Sequence, residues 1–122
     1  MAKVLIVEDN AANMTLATFL LQSAGHTVLS ATDAEAGLTL ARGEQPNLIL
    51  MDIQLPGMDG LEATALLKGD QATRDIPVIA LTALAMKGDE ERIRAAGCDG
   101  YVAKPMHYQD FLATIAAQLA RA

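Results

Sequence analysis

Apolar and polar positions alternate between two rhythms along this chain. Continuous apolar runs occur at Val4 to Val7, Leu48 to Met51 and Ile76 to Leu81, with a weaker strand candidate at Val28 to Ala31, broken by Ser30, and a short fifth one at Tyr101 to Ala103. Runs of that length without alternation mark strands covered on both faces, as in a parallel sheet between helices. Pro77 sits near the start of the run from Ile76, where a missing N–H does least harm. Between the runs, apolar residues recur every three or four positions. The segment 10–24 carries Met14, Ala17, Leu20, Leu21 and Ala24 on one helical face, with Gly25 as its stop. Thr32 and Glu35 have capping-box spacing and predict a helix ending near Gly43. Leu61 to Lys68 predicts a short helix closed by Gly69, and Leu84 to Ala96 a charged one ended by Gly97. The last helix carries Tyr108, Phe111, Leu112, Ile115 and Leu119.

Five strand–helix units predict a (βα)5 chain of the α/β class with five parallel strands; if their order is 2-1-3-4-5, strands one and three lie side by side at the switch point. The 122 residues make one ordinary domain, 1–122, and leave no segment for an output domain. Apolar residues are 52% of the chain and Trp is absent, so aliphatic side chains must form the core. Net charge is −6, and the nine Lys and Arg residues are scattered. That argues against nucleic-acid binding, which draws its affinity from clustered basic groups. Cys98 is the single cysteine, expected as a small buried apolar residue. No signal peptide opens the chain, and no apolar run approaches the roughly 20 residues of a membrane helix. A soluble cytoplasmic protein is expected.

Composition leaves one feature unexplained. In LILMDIQLPGMDG, residues 48–60, a buried strand ends in a carboxylate, Asp52. The first strand ends in Glu8 and Asp9, the fourth in Thr82, and the fifth in Lys104 followed by Pro105. Open α/β sheets bind ligands outside the carboxyl ends of their strands, at the switch point in strand order. Strands one and three flank that point, so three carboxylates should share one crevice. Two like charges about 4 Å apart repel by about 4 kcal/mol at an effective dielectric of 20. Three would cost on the order of 10 kcal/mol, against a domain stability of roughly 5–15 kcal/mol. Such a site calls for a hard cation held through oxygen, and Mg²⁺ fits best. A carboxylate beside Mg²⁺, a lysine and a hydroxyl is equipped to accept a phosphoryl group.

Each residue taken alone has an ordinary explanation. Glu8, Asp9 and Asn10 precede a helix that Asp or Asn could cap, Asp52 could be a solvated strand end, Thr82 could cap the fourth helix, and Lys104 could be a solvated charge. Those explanations give no reason for all of them to share one edge of the sheet. Asp59 reads as a turn residue, His26 and His107 as structural or solvated, and the methionines as packing, with Met14 and Met106 placed where a partner could meet them. KGDEERIR reads as a solvated helix face on a possible signalling surface.

VLIVEDN, LILMD, LTA and KP, in this order and spacing, resemble the receiver domain of two-component response regulators. The resemblance covers the whole chain and implies a flavodoxin-like doubly wound sheet. It implies Asp52 as phosphoacceptor and Mg²⁺ held by Asp9, Asp52 and the Gln54 carbonyl, with Glu8 acting through water. Thr82 and Lys104 would contact the phosphoryl group. Tyr101 would swing inward with Thr82, and small Ala83 would leave the site open. Gln54 and Leu84 would modulate hydrolysis, and Lys104-Pro105 would be a cis bond. ALTALAMKGDEERIRAAGCDGYVAKP is similar to single-domain, DivK-like receivers, and also to receivers within hybrid kinases. The implied activity is slow self-dephosphorylation and signalling rather than enzymatic turnover. The implied partners are a sensor histidine kinase or histidine phosphotransfer protein, docking near Asn13, Met14, Ala17 and residues 105–107, and a downstream protein target on the fourth helix, fifth strand and fifth helix. Two alternatives use related parts. A haloacid-dehalogenase-type Mg²⁺ phosphatase needs a second acid two residues past the nucleophile, where this chain has Gln54. A flavodoxin-like nucleotide binder needs a glycine-containing first loop, where this chain has EDNAAN.

Overall fold

The computed structural model describes residues 2–83, 87–104 and 106–121. Strands and helices alternate: β1 (Lys3–Val7), α1 (Ala11–Ser23), β2 (Thr27–Ala31), α2 (Ala34–Glu44), β3 (Leu48–Asp52), α3 (Gly60–Gly69), β4 (Val78–Thr82), α4 (Lys87–Ala95), β5 (Gly100–Ala103) and α5 (Tyr108–Arg121). The strands form one parallel sheet in the order β2-β1-β3-β4-β5. The expected architecture and strand order are both present.

Side chains alternate across a strand, so each central strand feeds two cores. Leu5, Val7, Ile49, Met51, Val78 and Ala80 pack with α2, α3 and α4. Val4, Ile6, Leu48, Leu50, Ile79 and Leu81 pack with α1 and α5, around Phe111 and Ile115. Both faces are therefore buried, which is why β1, β3 and β4 read as unbroken apolar runs. Among the described residues, no helix is long and apolar enough to cross a membrane.

Several boundaries differ from expectation. Asp33, not Thr32, caps α2, its side chain accepting from the Ala36 N–H at 2.8 Å. Helix α2 starts at Ala34, so Asp33 is the residue that precedes it in extended conformation and reaches an otherwise unmet N–H. The same helix closes on Gln45 in a left-handed conformation (φ 49°), followed by Pro46, rather than on Gly43. Asp59 is more than a turn residue. It caps α3 by accepting from the Glu62 N–H at 2.9 Å. Pro77 stands just before β4, and its carbonyl accepts from the Ile49 N–H at 2.9 Å. The expected helix start at Leu84 lies outside the described residues, as does Pro105.

Candidate functional site

Strand parity builds the site. Glu8, Asp52 and Lys104 have the same parity as Ile6, Leu50 and Val102, so all three fall on the α1/α5 side of the sheet. The ladder continues past the formal strand ends: Glu8 N–H donates to the Ala31 carbonyl at 3.0 Å, Ile53 N–H to Leu81 at 3.2 Å and Lys104 N–H to Thr82 at 2.8 Å. Backbone pairing therefore fixes the roots of the three side chains. Asn10 then caps α1 through its side chain at 3.0 Å from the Asn13 N–H, which leaves Asp9 at the mouth of the crevice.

The acids converge as expected. One carboxylate oxygen from each of Glu8, Asp9 and Asp52 lies within 4.8 Å of the others. Glu8 is 1% exposed and Asp52 3%, whereas Asp9 is open to solvent. The Lys104 ammonium stands 2.8 Å from Glu8 Oε1 and 3.1 Å from Asp52 Oδ2. Adjacent strands are about 4.8 Å apart, so a lysine on β5 needs its full stem to pass β4 and reach β3 and β1. Asp52 Oδ1 accepts from the Gln54 N–H at 2.9 Å, which fixes the carboxylate's rotation.

One ammonium does not balance three carboxylates. Burial pushes the Glu8 carboxyl up to about 7, neighbouring Asp52 pushes the same way, and Lys104 opposes both. Burial pulls the Lys104 ammonium down, but the Glu8 and Asp52 carboxylates outweigh it and leave Lys104 above its ordinary value. Glu8 Oε2 has no hydrogen-bond partner among the described residues. A buried carboxylate oxygen without a donor is costly unless it takes up a proton or a cation. Three carboxylate oxygens within 4.8 Å of one another suit a hard divalent ion, so the residues present fit Mg²⁺.

The remaining expected residues fall as follows. Gln54 is exposed in the loop after β3, and Thr82 is fully buried at the end of β4. Ala83 is exposed beside it, and Tyr101 on β5 points outward, 37% exposed. Ala17 requires correction: it is buried in the α1/α5 core, so it cannot meet a partner. Met106 is likewise core, and Met14 packs against it half-buried. The outward face of α1 instead carries Ala12, Thr15, Leu16 and Phe19, the last 65% exposed. Leu16 and Phe19 lie off the face that the three-and-four spacing marks as core, so that spacing does not point to them. His26 is structural, its Nδ1 accepting from the Ala2 N–H at 3.2 Å. Cys98 is buried as expected. Burial pushes its thiol up, against a weak 3.8 Å contact with the Thr64 hydroxyl.

The model of the response regulator receiver domain matches residues 4–116. The chain belongs to the response regulator receiver domain family. The polar-differentiation response regulator DivK of Brucella ovis is 51% identical to this receiver over 116 residues, covering 95% of this chain and 94% of that one. Among solved structures, a putative response regulator from Chloroflexus aurantiacus superposes with a TM-score of 0.94 at 27% identity, covering 98% of both chains. The receiver domain of a Pseudomonas aeruginosa sensor histidine kinase, described with a magnesium ion coordinated in its active site cleft, gives 0.91 at 34% identity and 98% coverage of both. The receiver is thus a DivK-like signalling domain of the two-component type. The phosphatase and nucleotide-binding alternatives are not favoured.

Proposed function

We propose that this chain is a stand-alone, cytoplasmic receiver that accepts a phosphoryl group on Asp52 from a phosphohistidine. The likeness to the DivK relative supports the receiver reading. The observation that carries the acceptor assignment is the convergence of Glu8, Asp9 and Asp52 within 4.8 Å, with Lys104 seated on two of them. Asp9, Asp52 and the Gln54 carbonyl would hold Mg²⁺, with Glu8 behind them. The bound ion would offset charge on the phosphoryl oxygens.

The chain's own groups account for the rest. The Gln54 N–H holds Asp52 Oδ1, which leaves Oδ2, now paired with Lys104, as the reacting oxygen. That oxygen attacks phosphorus, the bond from phosphorus to the histidine nitrogen breaks, and the imidazole leaves with the bonding pair and takes up a proton. An acyl phosphate remains on Asp52. Lys104, released from the carboxylates it now bridges, pairs with the new phosphoryl oxygens. Thr82 donates its hydroxyl to the same group, Ala83 keeps the approach open, and Tyr101 turns inward from its exposed position. Pro105 would set the chain direction after Lys104. Slow hydrolysis of the acyl phosphate would reset the site.

The donor would be a sensor histidine kinase or a histidine phosphotransfer protein docking on the outward α1 face. Readout would be altered binding of a downstream protein at α4, β5 and α5, or onward transfer. Neither nucleic acid nor membrane enters this scheme. The test is incubation with a small acyl phosphate and Mg²⁺, followed by intact-mass measurement. One phosphate should add to the chain and none to Asp52→Asn. Uptake that persists in that variant rejects the assignment.

A further inference from the structure

We propose that Gly60 is a positioning residue for the phosphoacceptor, holding the Asp52–Ile53 peptide in place by allowing the first turn of α3 to sit directly on it. The inference rests on Asp52 being the acceptor. It starts from a close approach. Gly60 is buried, and a Cβ built there would lie 2.7 Å from the Ile53 Cα and 2.8 Å from the Asp52 carbonyl carbon, overlapping the Asp52 carbonyl oxygen. Its φ is not in the left-handed region, so the backbone conformation does not demand glycine. Space alone demands it.

What lies in the way matters. A Cβ at Gly37 would press on Val7 Cγ2 at 2.7 Å, which is a side-chain atom. At Gly60 the three nearest atoms are all backbone. That peptide is fixed from both ends: Ile53 N–H donates to the Leu81 carbonyl at 3.2 Å, and Gln54 N–H donates to Asp52 Oδ1 at 2.9 Å. The helix is fixed as well, by the Asp59 cap on the Glu62 N–H at 2.9 Å and by the Thr64 hydroxyl on the Gly60 carbonyl at 2.8 Å. A side chain at position 60 must therefore push the peptide after Asp52 and open the turn to Gln54. Glu8 and Lys104 hang on β1 and β5 and do not follow. The carboxylate then loses its alignment with them.

The experiment uses the full chain. Gly60→Ala is compared with Gly69→Ala, where a Cβ meets nothing within 4 Å. The metal-free readout is the backbone amide resonance of Gln54, and the second is the rate of Mg²⁺-dependent phosphate uptake from a small acyl phosphate. Gly60→Ala should shift the Gln54 amide toward solvent-exposed values and slow uptake by at least about tenfold, because sub-ångström misplacement of a reacting group costs on that order. Gly69→Ala should do neither. A folded Gly60→Ala chain with an unshifted Gln54 amide and unchanged uptake overturns the proposal. If Gly60→Ala does not fold, Asp59→Ala and Asp33→Ala decide. Each removes one aspartate cap, from α3 and α2 respectively, at a similar cost in stability. Only Asp59→Ala should disturb Gln54 and slow uptake; equal behaviour of the two overturns the proposal. A wild-type chain that takes up no phosphate sinks the acceptor assignment, while the Gln54 amide still decides the role of Gly60.

Discussion

Glu8 shows how a single residue ties stability to function. Its carboxyl is buried beside Asp52, and its pKa is pushed up to about 7 from the ordinary 4.5. Between those two values the folded chain keeps a proton that the unfolded chain has released. Stability therefore falls as pH rises through that window, and the loss is complete above about pH 7. One pKa unit is about 1.4 kcal/mol, so the loss is at most roughly 3 kcal/mol. Asp70 acts in the opposite sense and outside this window. The Ala72 N–H and then Arg42 hold its carboxyl below the usual range, so its contribution disappears only in acid. Without Mg²⁺, thermal melting should occur at a lower temperature near pH 8 than near pH 5.5, and Glu8→Gln should remove most of that difference. A Glu8→Gln chain with the wild-type pH profile would show that Glu8 is not the group responsible. The chemical types at this site were legible in the sequence, because acids at the ends of two apolar runs have few ordinary reasons to lie together. The proton on Glu8 was not, since it depends on burial and on a neighbour 44 positions away.

At the scale of elements, the helices show where sequence patterns stop carrying information. Spacings of three and four located α1 and identified Ala17, Leu20 and Leu21 as its apolar face, and all three are buried. The same pattern does not show which face a partner would use. Leu16 and Phe19 stand 38% and 65% exposed on the outward side. Replacing both with serine removes apolar surface that makes no core contact. Phosphate transfer from a phosphohistidine protein should slow several-fold, while uptake from a small acyl phosphate and thermal stability stay near wild type. Parallel loss with both donors would place the defect in the site rather than in docking. Cap residues were only partly legible. Thr32 fits the capping box by spacing, yet α2 starts at Ala34 and its cap is Asp33. Asp59 resembled a loop residue because its partner, the Glu62 N–H, becomes an unmet donor only once α3 exists.

Over the whole molecule, two cores on opposite faces of one sheet hold the strand ends in register. The class followed from apolar runs alternating with helical ones and the strand order from the resemblance to receivers, and both are present. Gly60 was not legible, because its constraint comes from a backbone approach between α3 and β3 that no local pattern encodes. Phe111 anchors the α1/α5 core and is fully buried. Phe111→Ala should lower stability by about 3–5 kcal/mol in chemical denaturation, a large part of a total of roughly 5–15 kcal/mol. A loss below about 1 kcal/mol would mean that α5 contributes little to that core. The central claim is narrower: the strand-end carboxylate at position 52 becomes the acyl phosphate. Borohydride reduction of the phosphorylated chain converts an aspartyl phosphate to homoserine, and peptide mass spectrometry then locates it. The account predicts homoserine at position 52 only, dependent on Mg²⁺; homoserine at Asp9, at Asp59 or nowhere in a chain that has taken up phosphate would contradict it.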